Sequence, residues 1–454
     1  MLIPPLILIS GDILNALVAL LLAFSMRFGV LPRLEDQLMA DSGRVITFIL
    51  VVLFVSFLMD IYNTDKNLKN RENLSRLPLI FAGSFFMLSA LYYMIPFLQI
   101  GRGLLAFSLG VFVALQFLWH LIYKNGNYFK GLSHRVLVLG TGPLAGEIGG
   151  LIKDTNHNHI LTGYFSCPYE SVNVSSDEVL AAGEGLLETA EREKTQKIVV
   201  SISDRRSGGL PLKELLDCKF SGIEVIDAPS FYEQLTGKIL LENITAGWFV
   251  FSGGFKHTLF LRFIKKATDK ILAVMGLIIT LPLMLLIAML IKVSSPGPVF
   301  FRQVRVGKRE KPFVLYKFRT MRADAEAITG AVWARQDDPR VTAVGSFLRK
   351  SRLDEIPQLY NVLKGDMSFI GPRPERPEFV EKLKQIIPFY SERHFVKPGL
   401  TGWAQVKYAY GASVEDAIEK LKYDLYYIKN LSLTLEIQII LETIKVVIYG
   451  RGSR

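Results

Sequence analysis

Four apolar runs crowd into the first 125 residues of this chain: roughly Ile3 to Phe28, Val45 to Met59, Pro78 to Leu98 and Gly103 to Tyr123. Each is at or near the ~20 residues that a helix needs to cross the hydrocarbon core of a bilayer. The second is the shortest. Helices of a soluble bundle would each keep a polar face, whereas these carry almost no charge inside. Residues 1–125 therefore read as a transmembrane α-helical bundle. The first run has no basic leader and no small-residue cleavage site, so it reads as a retained span. Lys66, Lys69, Arg71 and Arg76 lie between the second and third runs, and Lys124, Lys130 and Arg135 follow the fourth. The other two connections are poorer in Lys and Arg, which puts both ends of the bundle in the cytoplasm.

Charge divides the rest of the 454 residues. The net charge of +11 comes from the end of the chain: residues 256–454 carry 33 basic and 19 acidic side chains, while residues 126–255 carry 11 and 16. The last segment is the one that faces anions. Nucleic acid is one candidate, but the segment has no recognition helix, zinc spacing or aromatic RNA-binding motif, and no nucleic-acid partner is expected. Anionic membrane lipids and phosphorylated substrates account for the charge. The cysteines, Cys167 and Cys218, both follow the bundle and need not pair, as in a reducing compartment.

After the fourth run, HRVLVLGTGPLAGEIGGLI (His134 to Ile152) reads as a buried strand, a Gly-rich turn and a helix. Gly140, Gly142 and Ala145 fit the G-x-G-x-x-A form of the dinucleotide fingerprint. Strand-like KIVVSIS (Lys197 to Ser203) and GIEVID (Gly222 to Asp227) follow, with helical stretches between, so residues 126–250 read as an α/β Rossmann-like domain. The carboxylate that should bind a ribose is missing: LTGYFS runs into Ser166, Cys167 and Pro168. A structural or regulatory domain and a nucleotide site both stay open.

Residues 251–454 read as an α+β domain entered through a second kind of membrane segment. Ile271 to Ile291 are 21 residues without a charge, enough to span. Yet Lys265, Lys266 and Lys270 precede them and Lys292, Arg302 and Arg305 follow, so crossing would strand a basic cluster outside. Pro282 near the centre removes a hydrogen bond and kinks the helix. The segment 265–292 is therefore expected to be a re-entrant helix that dips in and returns, a kinked span being the alternative. Val299 to Met321 suggests a β-hairpin turning near Gly307. Leu431 to Gly450 is apolar but carries Glu436, Glu442 and Lys445, which suits a helix lying in the interface better than a fifth span.

The chemistry concentrates in SRLDEIPQLYNVLKGDMSFIGPRP, Ser351 to Pro374. Asp354 and Glu355 sit among Arg349, Lys350, Arg352, Lys364 and Arg373. A carboxylate can attack phosphorus or hold Mg²⁺ while guanidinium forks grip phosphate oxygens; the bland alternative is a salt-bridged surface helix. Arg373 stands between two prolines, which present its guanidinium with little backbone motion and make it the leading phosphate clamp.

Together with KFRTM (Lys317 to Met321) and KPGLTGWAQV (Lys397 to Val406), this stretch resembles the bacterial sugar transferases that move a hexose-1-phosphate from a nucleotide sugar onto polyprenyl phosphate, and the rest of the chain resembles the large membrane form of that family. The resemblance implies transfer from UDP-hexose to undecaprenyl phosphate with release of UMP, as the first membrane step of exopolysaccharide or O-antigen synthesis. It implies a catalytic domain on the cytoplasmic face of the bacterial inner membrane, a re-entrant helix, and a Rossmann-like domain outside the catalysis. It makes Asp354 the nucleophile that holds the sugar phosphate covalently, and Glu355 its helper in placing Mg²⁺. Lys317, Arg319 and Arg349 match basic positions assigned to diphosphate or lipid phosphate. Asp424 matches an acidic position assigned to substrate, with pairing to Lys420 as its plainer role, and Asp366 either supports the site or caps a turn. Arg352 departs from the small hydroxyl residue of many relatives.

Two other classes stay open. A membrane-anchored nucleotide-sugar dehydratase or epimerase needs Tyr-x-x-x-Lys in the Rossmann-like domain, whereas Tyr62/Lys66 and Tyr360/Lys364 both lie outside it. A non-catalytic scaffold for polysaccharide export has no use for the acid pair. The hexose is not specified, and a homo-oligomer is left open.

Overall fold

The apolar runs form helices that pack through small side chains. In the computed structural model these are α1 (Ile3–Phe28), α2 (Ser42–Leu58), α3 (Asn70–Met94) and α4 (Arg102–Asn125). The structure describes residues 3–28, 42–59, 61–62, 70–125, 133–154, 159–167, 171–180, 185–202, 210–255, 258–322, 340–408, 411 and 413–448. Lys66, Lys69, Lys130, Pro168 and Ser203, named above, lie outside the described residues. α1, α3 and α4 are long and apolar enough to cross a membrane; α2, with 17 residues, is shorter. Ala16, Ala19 and Ala23 of α1 are buried with Phe48 and Val52 of α2 and Phe112 of α4, as expected where close approach replaces hydrophobic driving force. One polar knot interrupts them. Asp12 accepts from Tyr62 at 2.8 Å and from Gln116 at 2.6 Å, lies 3.1 Å from His120, and Gln116 also donates to Ser56. A buried carboxylate needs such donors to be tolerated, and here they tie α1, α2 and α4.

The same unit, Met1–Phe231, holds a parallel sheet. Strands β1 (His134–Leu139), β2 (His159–Phe165), β3 (Lys197–Val200) and β4 (Glu224–Asp227) lie in the order 2-1-3-4, with helices α5 (Pro143–Asp154), α6 (Leu186–Arg192) and α7 (Leu212–Phe220) in the crossovers. This is a doubly wound order that changes direction at β1 and β3, and differs from the 3-2-1-4 of a dinucleotide-binding sheet. Asn173 donates its N–H to Thr141 in the Gly-rich turn at 2.8 Å, so the 171–174 segment crosses that turn.

The second unit, Tyr232–Arg454, begins before residue 251, because Ile239 and Ile244 are buried with Trp403, Leu425 and Ile428. Its longest element is α8 (Leu259–Ser294), 36 residues and apolar enough to cross a membrane. Thr258 caps its start by accepting from Leu261 N–H. α8 is one unbroken helix longer than the expected 265–292 segment, and Pro282 lies inside it and not at a turn between two helices. Lys265, Asp269, Ala273, Thr280, Met284, Ile287 and Ile291 form its inner stripe, with the apolar residues of the other face exposed. Both halves of that stripe pack on one body. Ala273 is buried with Leu315, Val362 and Met367, while Ile287 and Ile291 are buried with Phe318 and Leu348. Pro282 stands on the exposed side, and a proline opens a helix on its own side by displacing the carbonyl four residues back.

After α8 come an antiparallel hairpin, β5 (Phe300–Val306) with β6 (Pro312–Phe318), then α9 (Ala343–Lys350), α10 (Gln358–Lys364), β7 (Ser368–Ile370), α11 (Pro377–Ile386), β8 (Gly399–Thr401), α12 (Val414–Lys429) and α13 (Leu433–Ile448). Short parallel strands β7 and β8 pair with each other. α13, at 16 residues, is about 24 Å long, short of the ~30 Å hydrocarbon core.

Candidate active site

Asp354 and Glu355 are set on a single 3-10 turn, Leu353–Glu355, between α9 and α10. α9 starts where Thr342 accepts from Gly345 N–H at 2.9 Å, and Gly345 is needed because a Cβ there would meet Thr320 O at 2.0 Å. After α9 the chain reverses at Arg352, whose backbone is left-handed at φ 55°, a costly conformation for a side-chain-bearing residue that clusters at functional sites. Leu353 and Ile356 then pack against the Ile287 and Phe318 cluster. Anchored on both sides, the two acids between them project into the site.

Three segments meet those acids. Lys317 comes from β6, which α10 holds in place: buried Asn361 donates to Val314 O at 2.7 Å and accepts from Tyr316 N–H at 3.1 Å. Its Nζ lies 2.7 Å from Glu355 and 3.9 Å from Asp354. Arg373 comes from the loop after β7 and donates to Glu355 Oε1 at 3.0 Å. Its backbone is held throughout: Gly371 N–H reaches Thr401 O, Gly399 N–H reaches Pro372 O, Arg393 reaches Arg373 O at 3.1 Å and Arg305 reaches Pro374 O at 3.0 Å. Its side chain keeps 40% exposure, which leaves it open to a ligand. Arg349 donates to Thr320 Oγ1 at 3.0 Å, and its charge reaches Asp354.

The two acids differ in state. Burial pushes Asp354 above its ordinary 3.8, against the pull of Lys317. Burial pushes Glu355 up too, but Lys317 and Arg373 outweigh it and hold that carboxyl well below its usual range. Glu355 is thus a fixed anion bridging two cations, while Asp354 is the less encumbered carboxylate. That division lets one acid organise the site and leaves the other free to react.

Two other residues singled out in the sequence, Arg319 and Asp424, are engaged with different partners. Arg319 is buried and spends its guanidinium on Pro296 O, Ser295 O and Ser295 Oγ, each at 2.8 Å; it secures the chain leaving α8. Asp424 is buried in an ion pair with Arg393 at 2.7 Å. Burial raises its carboxyl to about 6 even with Arg393 beside it. The Lys420 ammonium donates to Gly411 O. Arg352 is half-buried at its left-handed turn, and Asp366 pairs with Lys364 at 3.0 Å. Sequence reasoning missed Asn361, Arg393 and Asp269, all buried polar residues. Asp269 had a signal: it is a lone acid at the edge of a long uncharged run.

Comparison with known proteins identifies the family of the matched region. Residues 260–450 match the family described as Bacterial sugar transferase. The chain is 42% identical over 257 residues to the UDP-N-acetylgalactosamine-undecaprenyl-phosphate N-acetylgalactosaminephosphotransferase of Aeromonas hydrophila, covering 57% of this chain and 60% of that protein. It is 48% identical over 181 residues to the UDP-glucose:undecaprenyl-phosphate glucose-1-phosphate transferase of Xanthomonas campestris pv. campestris, covering 39% of this chain and 37% of that protein. A third relative, the exopolysaccharide production protein PSS of Rhizobium leguminosarum bv. phaseoli, is 38% identical over 186 residues, which are 40% of this chain and 93% of that protein. The matches thus span less than two thirds of the first two relatives and nearly all of the third. With its acids, its cations and α8 from residue 260 onward inside the matched residues, the chain belongs to the bacterial sugar transferase family.

Proposed function

We propose that this chain transfers hexose-1-phosphate from a UDP-hexose to undecaprenyl phosphate and releases UMP, an early membrane step in making an exopolysaccharide or O-antigen. The observation that carries this reading is the division between the two acids: Glu355 lies 2.7 Å from Lys317 and 3.0 Å from Arg373, while the Lys317 ammonium stands 3.9 Å from Asp354. Asp354 attacks the β-phosphorus of the donor, the bond to the UMP oxygen breaks, and the sugar phosphate stays on the carboxylate. An oxygen of the lipid phosphate then attacks the same phosphorus and frees Asp354. Two half-reactions let one site serve a water-soluble donor and a lipid acceptor in turn. Arg373 and Lys317 bind the diphosphate oxygens, and Arg349 helps neutralise them.

The donor set suits Mg²⁺, which is commonly held by one or two carboxylates together with substrate phosphates. Asp354 and Glu355 would hold it; when bound it offsets diphosphate charge.

α8 acts as a re-entrant membrane helix in this reading. Its support is that Ala273 on one side of Pro282 and Ile287 on the other pack on the same body, whereas a crossing helix would meet a cytoplasmic domain at one end only. Its basic flanks and α13 then lie along the cytoplasmic face of the inner membrane, α13 in the interface. A dehydratase or epimerase is disfavoured because Tyr360 and Lys364 lie on α10 in the second unit, far in sequence from the Gly-rich turn.

The relatives' names divide between N-acetylgalactosamine and glucose, so the test is a panel. UDP-glucose, UDP-galactose and UDP-N-acetylgalactosamine are each supplied with undecaprenyl phosphate and Mg²⁺, following UMP release and sugar label in the lipid. One donor should give both in equal amounts. Folded protein that labels lipid with none of them rejects the reading.

A further inference from the structure

We infer that Asp269 and Lys265 of α8 are positioning residues for the Arg373 clamp, so that the seating of the apolar helix and the placing of the phosphate-binding loop are one event; this rests on the transferase reading above. Asp269 is buried, with 8% exposure, on the inner stripe of α8. Its Oδ1 accepts from the Phe369 amide at 2.8 Å and from Ser368 Oγ at 3.0 Å. One turn earlier, Lys265 donates to Ile370 O at 3.1 Å and pairs with Glu436 of α13. Tyr427 of α12 donates to the same two acceptors. All three residues of β7 are therefore held by polar groups, two of which come from the helix whose other face is apolar and exposed.

β7 needs this support. Among the described residues it pairs only with β8, and both strands are three residues long; an isolated two-stranded unit of that size is marginal in water. Beyond β7 there is no slack. A Cβ on Gly371 would lie 2.3 Å from Lys397 O, so a displacement of β7 carries through Gly371 and Pro372 to Arg373, whose guanidinium must still reach Glu355. Misplacement of a clamp by about 1 Å costs orders of magnitude in rate. Membrane anchoring alone does not explain Asp269 and Lys265. The exposed lysines Lys266 and Lys270 supply the charge that anchoring asks for, and a buried acid in an apolar helix is unfavourable unless its hydrogen bonds are made.

The test combines exchange with a double-mutant cycle in purified full-length protein. In Asp269→Ala, the Phe369 amide should exchange hydrogen faster than in wild type, and kcat/KM should fall on the order of 10–100-fold, as for other supporting partners. Asp269→Asn keeps an acceptor and should recover most of both. In an Arg373→Ala background, Asp269→Ala should cost less than about 3-fold more, because its effect runs through the side chain already removed. Losses that multiply fully in the double variant, or unchanged exchange at Phe369, overturn the inference. A wild type that transfers no sugar removes the transferase reading, and exchange at Phe369 then decides whether Asp269 governs the loop.

Discussion

The Arg373 guanidinium rests 3.0 Å from Glu355 Oε1, so its side chain is aimed by a carboxylate that Lys317 also neutralises from 2.7 Å. Charge-assisted forks of this kind are directional, and lysine cannot reproduce them. Arg373→Ala should lower kcat/KM by about 10²–10³-fold, the usual effect of removing one preorganised donor, and Arg373→Lys should recover little. Initial rates of UMP release against donor concentration measure this. Full activity in the Ala variant would leave Arg373 a structural residue only.

Asp354→Asn should abolish turnover while the protein still inserts and folds, because shape is kept and the attacking charge is lost. Intact-mass spectrometry of wild type given donor without lipid should find a sugar-phosphate adduct, and digestion should place it on Asp354. Near wild-type rates in the Asn variant would sink the covalent step.

Burial holds the Asp354 carboxyl above 3.8, and only the ionised form attacks. The rate should therefore fall as pH drops through a value higher than that of an ordinary aspartate. For stability the sign is opposite: the folded state binds this proton more tightly than the unfolded one, so the contribution is present below 3.8 and is lost as pH rises through the raised value. Asp354→Asn should then melt at or above wild type at pH 7, with the gain shrinking toward pH 4. A clear drop in melting temperature at pH 7 would contradict the raised value.

Arg393 and Asp424 form a pair with side-chain exposures of 7% and 2%. Breaking a buried pair by truncating one partner typically costs about 3–5 kcal/mol. Asp424→Ala should show that loss in thermal or denaturant unfolding, whereas a residue that only touched substrate would leave unfolding unchanged.

Single cysteines in place of Lys266 and Lys308, in a chain lacking Cys167 and Cys218, should both be shielded from an impermeant thiol reagent in intact cells and both react once the cytoplasm is opened. Opposite responses would mean that α8 crosses. Pro282→Leu restores a backbone hydrogen bond and straightens the helix; it should lose activity as the acids are drawn from the cytosolic donor. Full activity with unchanged topology would show that the course of α8 does not depend on this proline.

Much of this architecture was legible along the chain because it depends on local pattern. Apolar runs of about 20 residues foretold α1, α3, α4 and α8, and alternation around Gly307 foretold the β5–β6 hairpin. Periodicity reports which residues leave water and which dihedrals they take. Motif order likewise singled out Asp354, Glu355, Arg373 and Lys317, which the fold brings together. Partner choice was not legible. Arg319 shares the KFRTM motif with Lys317, and two residues apart in a continuing strand they would share a face, but β6 ends at Phe318: Lys317 meets the acids while Arg319, past the end of the strand, meets Ser295 and Pro296. Asp424 has Lys420 one helical turn away, but Arg393 from another segment takes it, because a buried acid is stabilised by the cation that shares its burial. Asp269 gains its meaning only when β7, about 100 residues later, is laid against it. Sequence determined the elements and the chemistry available; tertiary structure decided which charges meet, since that depends on how distant segments cross in a low-dielectric interior.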